Sequence, residues 1–388
     1  MTRRWNLLAW TILLSVFLGM SIYLFLNPSR TGVVPNYRFA ASHWWISESM
    51  FPGGTHGFLY APPFAVLFSL LHFLKPVVLG EILWRAFGFS LFAFALRSLS
   101  ACSLLPLASS TSRFSPSTFF ALVVLAVPAS LASLNNGQTN LSLSACLVLS
   151  ALALRDQRWN LTALLLSLSL VLKPIALAPW LLAFAVLPAM RIPLLIGLPG
   201  LVLVGFFHPD PSYAWGQWVE FFVKLGHSYT PENLRVSDIF GAIDRAGVQI
   251  PPMLEKVARA GACLGALTWV WLAYRRHGIA GASWALWVAT ALVFTVFNPR
   301  AETNSYVLVS PLLAYAAVSY WREMEGGKWK GVILAVACVG LMCDGMGLWI
   351  YKATDVWFKP TIVLLVSPLL FRMPEAWKAE NPVGTHKH

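Results

Sequence analysis

The chain has 388 residues, of which 57% are hydrophobic and only 11% are charged, and its formal net charge is +12. Because so few charged side chains cannot cover the surface of a soluble globular protein, the composition excludes that class and indicates a membrane protein. The net charge does not indicate nucleic-acid binding, since the basic residues are spread over short loops, as the positive-inside rule predicts for membrane proteins.

The N-terminal segment predicts an uncleaved transmembrane helix. Its apolar run, residues 7–26, follows two arginines and is longer than the core of a signal peptide, and no small-x-small cleavage site follows it. We therefore place the N-terminus in the cytoplasm and predict residues 27–57 as an outer loop. Two tryptophans in that loop, Trp44 and Trp45, are most simply interfacial belt residues.

A short apolar stretch, residues 64–74, decides the predicted topology. If it crosses the membrane, Arg97 and Arg113 lie on the outer side, against the positive-inside rule. If it is re-entrant or lies on the surface, residues 82–96 run inward and the loop between the two arginines is cytoplasmic. A double proline precedes the stretch and favours a break in the chain there, so we predict the second topology.

The remaining apolar runs predict an all-α polytopic bundle of about twelve transmembrane helices, with both termini in the cytoplasm. These runs are residues 119–134, 141–154, 161–172, 175–187, 194–207, 257–274, 282–297, 306–320, 332–350 and 356–371. Residues 208–252 form a second outer loop. The prediction is thus a single membrane domain of residues 1–371 with a short cytoplasmic tail, residues 372–388, that we expect to be frayed.

Polar segments interrupt the apolar runs at four places, all on the predicted outer face. They are the loops 27–57 and 208–252, the cluster 135–140 with Lys173, and residues 298–304. Uncharged hydrogen-bonding groups at membrane depth are costly unless they line a polar cavity. The pattern therefore predicts a polar site at one end of the bundle.

Three charged residues in these segments are candidates for binding or chemistry. Lys173 interrupts two apolar runs, and it either snorkels to lipid headgroups or holds a lipid-linked phosphate. Arg300 suits a phosphate because its guanidinium is a planar fork, and Glu302 is a candidate acid or base. The alternative for Arg300 and Glu302 is a solvated turn that begins at Asn298 and Pro299.

Other features are less specific. Acidic, amide and aromatic residues mix in the loop 208–252, which suits carbohydrate binding and equally an interfacial helix. Asp344, the lone carboxylate of the predicted span 332–350, is either functional or beside a close helix contact at Gly345 and Gly347. No metal-ligand spacing, phosphate loop, nucleophile elbow or Cys-x-x-Cys pair is present, so we predict no metal, no cofactor and no nucleotide-sugar site.

The polar motifs, in their order along the chain, resemble those of the polytopic glycosyltransferases of family 87, within the GT-C class. The matching motifs are Tyr37 with Ala40-Ala41, Tyr60-Ala61-Pro62-Pro63-Phe64, Gly137-Gln138-Thr139-Asn140, Lys173-Pro174, Asn233-Leu234-Arg235-Val236-Ser237, and Asn298-Pro299-Arg300 with Tyr306. The resemblance extends over most of the chain.

The resemblance implies a transferase that takes one sugar, a hexose such as mannose or a pentose, from a polyprenyl-phosphate donor. It implies transfer to a lipid or glycan acceptor at the outer face of a bacterial cytoplasmic membrane. Lys173 and Arg300 would hold the donor phosphate, and the side chains implied for substrate binding are Tyr37, Arg38, Gln138, Asn140, Asn233 and Asn304.

One residue departs from the family pattern. Family members carry an aspartate, the expected base, four residues before the tyrosine that matches Tyr37, and this chain has Val33 there. Because valine cannot accept a proton, either Glu48 or Glu302 is the base or the chain is a diverged relative that binds lipid phosphate without catalysis. A transporter or flippase of lipid-linked sugars is the rival from another class, and no inverted repeat supports it.

Overall fold

The computed structural model describes residues 2–30, 32–54, 56–102, 117–228, 236–323 and 327–378. These residues form helices, turns and irregular segments without a β-strand, which confirms the predicted all-α class. Four of the described helices are long and apolar enough to cross a membrane, or five if one bent pair counts as a single span. The predicted twelve spans are not confirmed, because several apolar runs fold as helices of 10–17 residues. Arg113 and Asn233 lie outside the described residues.

Helices in the first half of the chain begin close to where the apolar runs begin. They are α1 (Thr2–Leu26), α2 (Val34–Trp45), α3 (Pro62–His72), α4 (Val77–Cys102), α5 (Thr118–Asn136), α6 (Asn140–Arg155), α7 (Trp159–Leu172), α8 (Leu177–Val186) and α9 (Pro188–Val204), with a 3₁₀ turn at Pro174–Ala176. Proline occupies the first or second position of α2, α3 and α9, where its missing N–H costs no hydrogen bond. The predicted outer loop 27–57 is therefore partly helical, because α2 lies within it.

Both ends of α5 follow from its sequence. The Ser117 side chain accepts a hydrogen bond from the Phe120 backbone N–H at 3.2 Å and caps the first turn. At the other end Gly137 adopts a φ of 64°, the left-handed conformation that commonly closes a helix. A Cβ at Gly137 would lie 2.5 Å from the Val34 side chain, so glycine is also required for space. This turn places Gln138 directly before α6.

The second half of the chain contains two helices inside the predicted outer loop 208–252. Its helices are α10 (Pro211–His227), α11 (Ile239–Arg245), α12 (Pro252–Val296), α13 (Ser310–Glu323), α14 (Lys328–Gly340), α15 (Leu348–Thr354), α16 (Phe358–Val366) and α17 (Glu375–Lys378), with 3₁₀ turns at Thr303–Leu308, Cys343–Gly345 and Ser367–Leu370. Aspartates cap α10 and α11: Asp210 accepts from the Ser212 N–H at 2.9 Å and Asp238 from the Gly241 N–H at 2.7 Å.

The predicted continuous span 332–350 is wrong. α14 ends at Gly340, and Asp344 lies in the 3₁₀ turn that follows. Gly347 has a φ of 114°, which residues with a Cβ rarely adopt, and it separates this turn from α15. The next helical segment, Phe358–Leu370, is bent by 64° from α15. A purely apolar pattern could not reveal these breaks, because they depend on glycine conformation and on an ion pair described below.

α12 folds back on itself at Gly278, whose φ of 60° and ψ of −149° are not helical. Arg259 and Phe297 lie at equal sequence distances on either side of Gly278, yet the Arg259 guanidinium donates to the Phe297 carbonyl at 2.5 Å. A straight helix would hold these two residues more than about 50 Å apart. The two halves are therefore antiparallel, in agreement with the separate predicted spans 257–274 and 282–297.

We expect Gly278→Ala to destabilise the protein by about 1–3 kcal/mol, because a side chain strains the backbone conformation of the bend. Gly261→Ala is the matched control, since a Cβ at this helical glycine meets no heavy atom within 4 Å. Thermal unfolding of the purified variants, followed by tryptophan fluorescence, measures the difference. Equal stability of the two variants would contradict a strained bend.

The core of the bundle is formed mainly by α4, α5, α6, α12 and α13. Trp377 of α17 joins this core, with a relative exposure of 0%. Its ring lies 5.4 Å from that of Trp284 and 5.6 Å from that of Tyr315. Part of the tail that was expected to be frayed, up to Lys378, thus packs on the bundle, because its tryptophan is buried there.

Candidate active site

A cavity of about 480 Å³ lies where the four polar segments meet, and we call it the site cavity. Its lining residues are Val33, Asn36, Tyr37, His56, Gly57, Leu59, Tyr60, Gln138, Lys173, Pro174, Ile175, Leu225, Ser228, Asn298, Pro299, Arg300 and Glu302. They come from both predicted outer loops, from the residues before α3, from the turn between α5 and α6, from the residues after α7 and from the segment after α12. Volumes of this size are typical of small-molecule sites.

Two cations and one carboxylate line the site cavity. Lys173 has an extended backbone, with φ −164° and ψ 125°, because Pro174 prevents α7 from continuing. Its Nζ donates to Asn140 Oδ1 at 2.9 Å. The Arg300 guanidinium donates to the Ser228 carbonyl at 2.5 Å, which joins the late loop to the end of α10. Of the lining residues, all within the described part of the chain, only Glu302 carries a carboxylate.

A network of side-chain amides connects Lys173 to Glu302. Asn140 Nδ2 donates to Gln138 Oε1 at 2.6 Å and to Asn304 Oδ1 at 3.1 Å. Gln138 Nε2 and Asn304 Nδ2 in turn donate to Glu302 Oε2 at 2.8 and 3.0 Å. Asn140 and Asn304 are buried and do not line the cavity. Because their amides bond to each other and to the lining residues, they position those residues. A satisfied network of this kind holds Lys173 and Glu302 in a fixed arrangement.

Burial shapes the electrostatics of the cations. Burial lowers the pKa of the Lys173 ammonium. The Glu302 carboxylate opposes this shift, and the Arg300 guanidinium adds to it. Burial also lowers the pKa of Arg300, and Glu302 again raises it. Both pKa values fall because the charged forms lose water. An anion bound between these groups would restore favourable interactions, so the cavity suits an anionic ligand.

The first outer segment places Val33 and Tyr37 on the cavity wall. Val33 N donates to the Asn136 carbonyl at 3.0 Å, and the preceding Gly32 approaches the same carbonyl so closely that a Cβ would lie 2.2 Å from its oxygen. The Tyr37 and Tyr60 hydroxyls are hydrogen-bonded at 2.9 Å. Val33, the position at which the resemblance implies an aspartate, lines the site cavity and carries an apolar side chain.

Two further predicted site residues, Arg38 and Glu48, lie away from this cavity. Arg38 lies 3.5 Å from Glu81 through its Nε and donates to the Val77 carbonyl at 2.6 Å. The Glu48 carboxylate lies 3.2 Å from His43 Nε2 with its side chain 61% exposed. Neither lines the cavity, and Asn233 is not described. The structure thus separates the two candidate bases, Glu48 and Glu302.

Two residues of α4, neither of them predicted from the sequence, support the site. Trp84 Nε1 donates to the Gly137 carbonyl at 2.8 Å, and the Arg85 guanidinium donates to the Leu134 carbonyl at 3.0 Å. Arg85 also pairs with Glu81 at 2.9 Å, and both side chains are buried. Trp84 and Arg85 together bind the carbonyls at the end of α5, and so they hold the turn that carries Gln138. A charged residue inside the apolar run 82–96 was the signal that could have identified Arg85.

Residues near the C-terminus also position the late loop. Lys359 of α16 is buried, and its Nζ donates to the Thr303 carbonyl at 2.9 Å and pairs with Asp344 at 2.9 Å. Thr303 directly follows Glu302. The role of Asp344 is therefore to pair with Lys359 and anchor the loop that carries Glu302, which the sequence alone did not predict.

Comparison with known proteins identifies a family. A family model for glycosyltransferase family 87 matches residues 58–311. No curated protein and no solved structure matches the chain. The matched range includes the site cavity from Tyr60 to Glu302, whereas Val33 and Tyr37 precede it. In the described part of the chain, no group of three or more His, Cys, Asp or Glu side chains is placed to hold a metal ion.

Proposed function

This chain belongs to glycosyltransferase family 87 and is a membrane glycosyltransferase, and we propose that the site cavity is its active site. The proposed reaction transfers one hexose or pentose from a polyprenyl-phosphate donor to a lipid or glycan acceptor. The single observation that carries the proposal is the placement of Lys173 and Arg300 beside Glu302 in one cavity.

The two cations would bind the donor phosphate. As the bond between the sugar and the phosphate breaks, the leaving polyprenyl phosphate takes the electron pair and gains negative charge. Lys173 and Arg300 stabilise that charge, and partial burial strengthens the interaction because less water screens it. Gln138 lines the same wall and would orient the donor, while the buried Asn140 holds Lys173 in place.

Glu302 would act as the base. It would take the proton from the acceptor hydroxyl, whose oxygen then attacks the anomeric carbon of the donor sugar. Its carboxylate is oriented by Gln138 and Asn304, and it is the one carboxylate among the described lining residues. Glu48 is less suited, because it lies outside the cavity and pairs with His43.

We place the site cavity at the outer face of a bacterial cytoplasmic membrane, with both termini in the cytoplasm. α6 begins beside the cavity at Asn140 and ends at Arg155 after 16 residues, a length of about 24 Å. Arg275 and Arg276 lie beside the bend of α12. Basic residues at the ends away from the cavity favour this orientation by the positive-inside rule.

The alternative is a diverged relative that binds a lipid-linked phosphate without transferring the sugar. The observation that favours it is Val33, which lines the cavity where an aspartate is the expected base. In that case the cations would still bind the phosphate, and Glu302 would contact only sugar hydroxyls.

The test is transfer from a panel of radiolabelled polyprenyl-phosphate sugars to endogenous membrane acceptors. We expect transfer by the wild type and a loss of roughly ten- to hundredfold in Lys173→Ala, because a charge-assisted contact to the phosphate is removed. Lys352→Ala, a change at an exposed lysine of α15, is the matched control.

Two outcomes would contradict the proposal in different ways. Unchanged transfer and donor affinity in a folded Lys173→Ala variant would refute the phosphate assignment. Absence of transfer by the wild type, together with measurable binding of polyprenyl phosphate, would support the diverged relative. A gain of transfer in Val33→Asp would then assign the lost activity to that position.

A further inference from the structure

A second cavity, of about 260 Å³, lies at the bend of α12, at the opposite end of the bundle from the site cavity. We call it the bend cavity. Its buried floor contains Trp284 and Ala285, and its rim carries Arg276, His277, Arg372 and Lys378. None of its lining residues, all of them described, is a carboxylate. The cavity is therefore an apolar recess with a basic rim.

Two rim arginines have unused hydrogen-bond donors. Among the described residues, neither Arg276 nor Arg372 forms an ion pair or a hydrogen bond, whereas Lys378 pairs with Glu375 at 2.6 Å. Both guanidiniums are exposed to the surroundings at the rim. Like charges that converge on one cavity repel each other unless an anion lies between them. A guanidinium fork matches the oxygens of a phosphate, so the rim suits a phosphate-like anion.

The bend cavity is held in shape by the packing of the C-terminal segment. Trp377 Nε1 donates to Ser283 Oγ at 2.9 Å, and Trp284 Nε1 donates to the Leu370 carbonyl at 2.9 Å. The Trp269 and Phe371 rings pack edge to face at 4.8 Å. The first two contacts hold the C-terminal segment against the half of α12 that follows Gly278, and the third holds Phe371, next to Arg372, against the half that carries Arg276.

Apolar surface beside the rim indicates which kind of phosphate fits. Phe371 lines the cavity, and its side chain is 50% exposed. In a membrane protein such surface faces acyl chains. A free phosphate would use the cations alone, whereas an anionic phospholipid would use both the cations and the apolar surface.

We propose that the bend cavity binds the headgroup phosphate of an anionic phospholipid, with Arg276 and Arg372 as its principal ligands and the acyl chains along Phe371. By the positive-inside rule this lipid belongs to the cytoplasmic leaflet. The site does not take part in the proposed sugar transfer, so it stands or falls independently of that function.

The experiment uses the purified full-length protein in lipid-free detergent. Binding of phosphatidylglycerol and of phosphatidylcholine with the same acyl chains is measured by native mass spectrometry and by the shift in the thermal unfolding midpoint. We expect the wild type to bind phosphatidylglycerol in preference. Arg276→Gln and Arg372→Gln should each weaken this binding about fivefold, and the double variant roughly 25-fold.

Arg275→Gln is the matched control, because Arg275 stacks on Trp271 and does not line the cavity. The Arg275→Gln variant loses the same charge at the adjacent position, and it should bind phosphatidylglycerol as well as the wild type does. Equal binding by the double variant and the wild type would overturn the proposal. So would equal binding of the two lipids by the wild type, a comparison that needs no variant. Stabilisation by inorganic phosphate alone, with no further effect of lipid, would overturn the lipid assignment.

Discussion

Replacement of Glu302 by glutamine is expected to reduce the rate of sugar transfer by a factor of about 10²–10⁴, the usual contribution of a general base. Glutamine keeps the size of the side chain and one acceptor oxygen for Gln138 and Asn304, so the amide network should survive. The change also removes a negative charge from a cavity proposed to bind a phosphate. Donor affinity should therefore stay the same or rise while the turnover rate falls.

The measurement is the separate determination of kcat and donor KM for Glu302→Gln beside two other variants. Glu220→Gln controls for the loss of a carboxylate, since Glu220 lies on α10 and does not line the site cavity. Glu48→Gln tests the other candidate base. A loss of kcat in Glu48→Gln with full activity in Glu302→Gln would move the base to Glu48 and refute the assignment made from the cavity.

Replacement of Arg85 by methionine is expected to destabilise the protein by about 3–5 kcal/mol, the usual cost of breaking a buried ion pair on one side. Among the described residues, the change leaves the buried Glu81 carboxylate with Arg38, at 3.5 Å, as its one charged partner. It also leaves the Leu134 and Asn135 carbonyls at the end of α5 without their side-chain donor. The turn that carries Gln138 should loosen, so transfer activity should fall together with stability.

Titration with sodium dodecyl sulfate in mixed micelles measures the free energy of unfolding. Arg97→Met is the control, because Arg97 lies on the same helix and is exposed, and surface changes are usually within about 0.5 kcal/mol. Removal of both partners, in Glu81→Leu with Arg85→Met, should cost less than Arg85→Met alone, because no uncompensated charge is left. The two residues are not coupled if Glu81→Leu lowers the free energy of unfolding by the same amount in the Arg85→Met variant as it does in the wild type.

The sequence by itself determined the class of the protein and the parts of its site. Long apolar runs with few charges specify membrane helices, because backbone polar groups in lipid must be satisfied within the helix. Interruptions of those runs by Gln138, Lys173 and Glu302 were visible for the same reason, since each polar group among apolar neighbours needs a partner. The family resemblance rested on the same motifs, and the match over residues 58–311 confirms it.

The ends of several helices could be predicted from the sequence only in part. Ser117 and Gly137 mark the limits of α5 by local chemistry, and Asp210 and Asp238 mark the starts of α10 and α11. The predicted span 332–350 failed, because its hydrophobicity is continuous whereas its backbone is broken before α15. Local hydrophobic patterns indicate which residues are buried. They do not indicate at which glycine the backbone departs from the helical conformation.

The tertiary structure alone decided which polar residues act together. It brought Glu302 to Gln138 across 164 positions of sequence and left Glu48 outside the cavity, and it gave Asp344 a partner in Lys359. It also bound Trp377 into the core and set Arg372 beside the bend of α12. These contacts join residues far apart in the chain, and their energy depends on geometry that is set only when the helices pack. Periodicity and composition are properties of neighbouring residues and carry no information about such pairs.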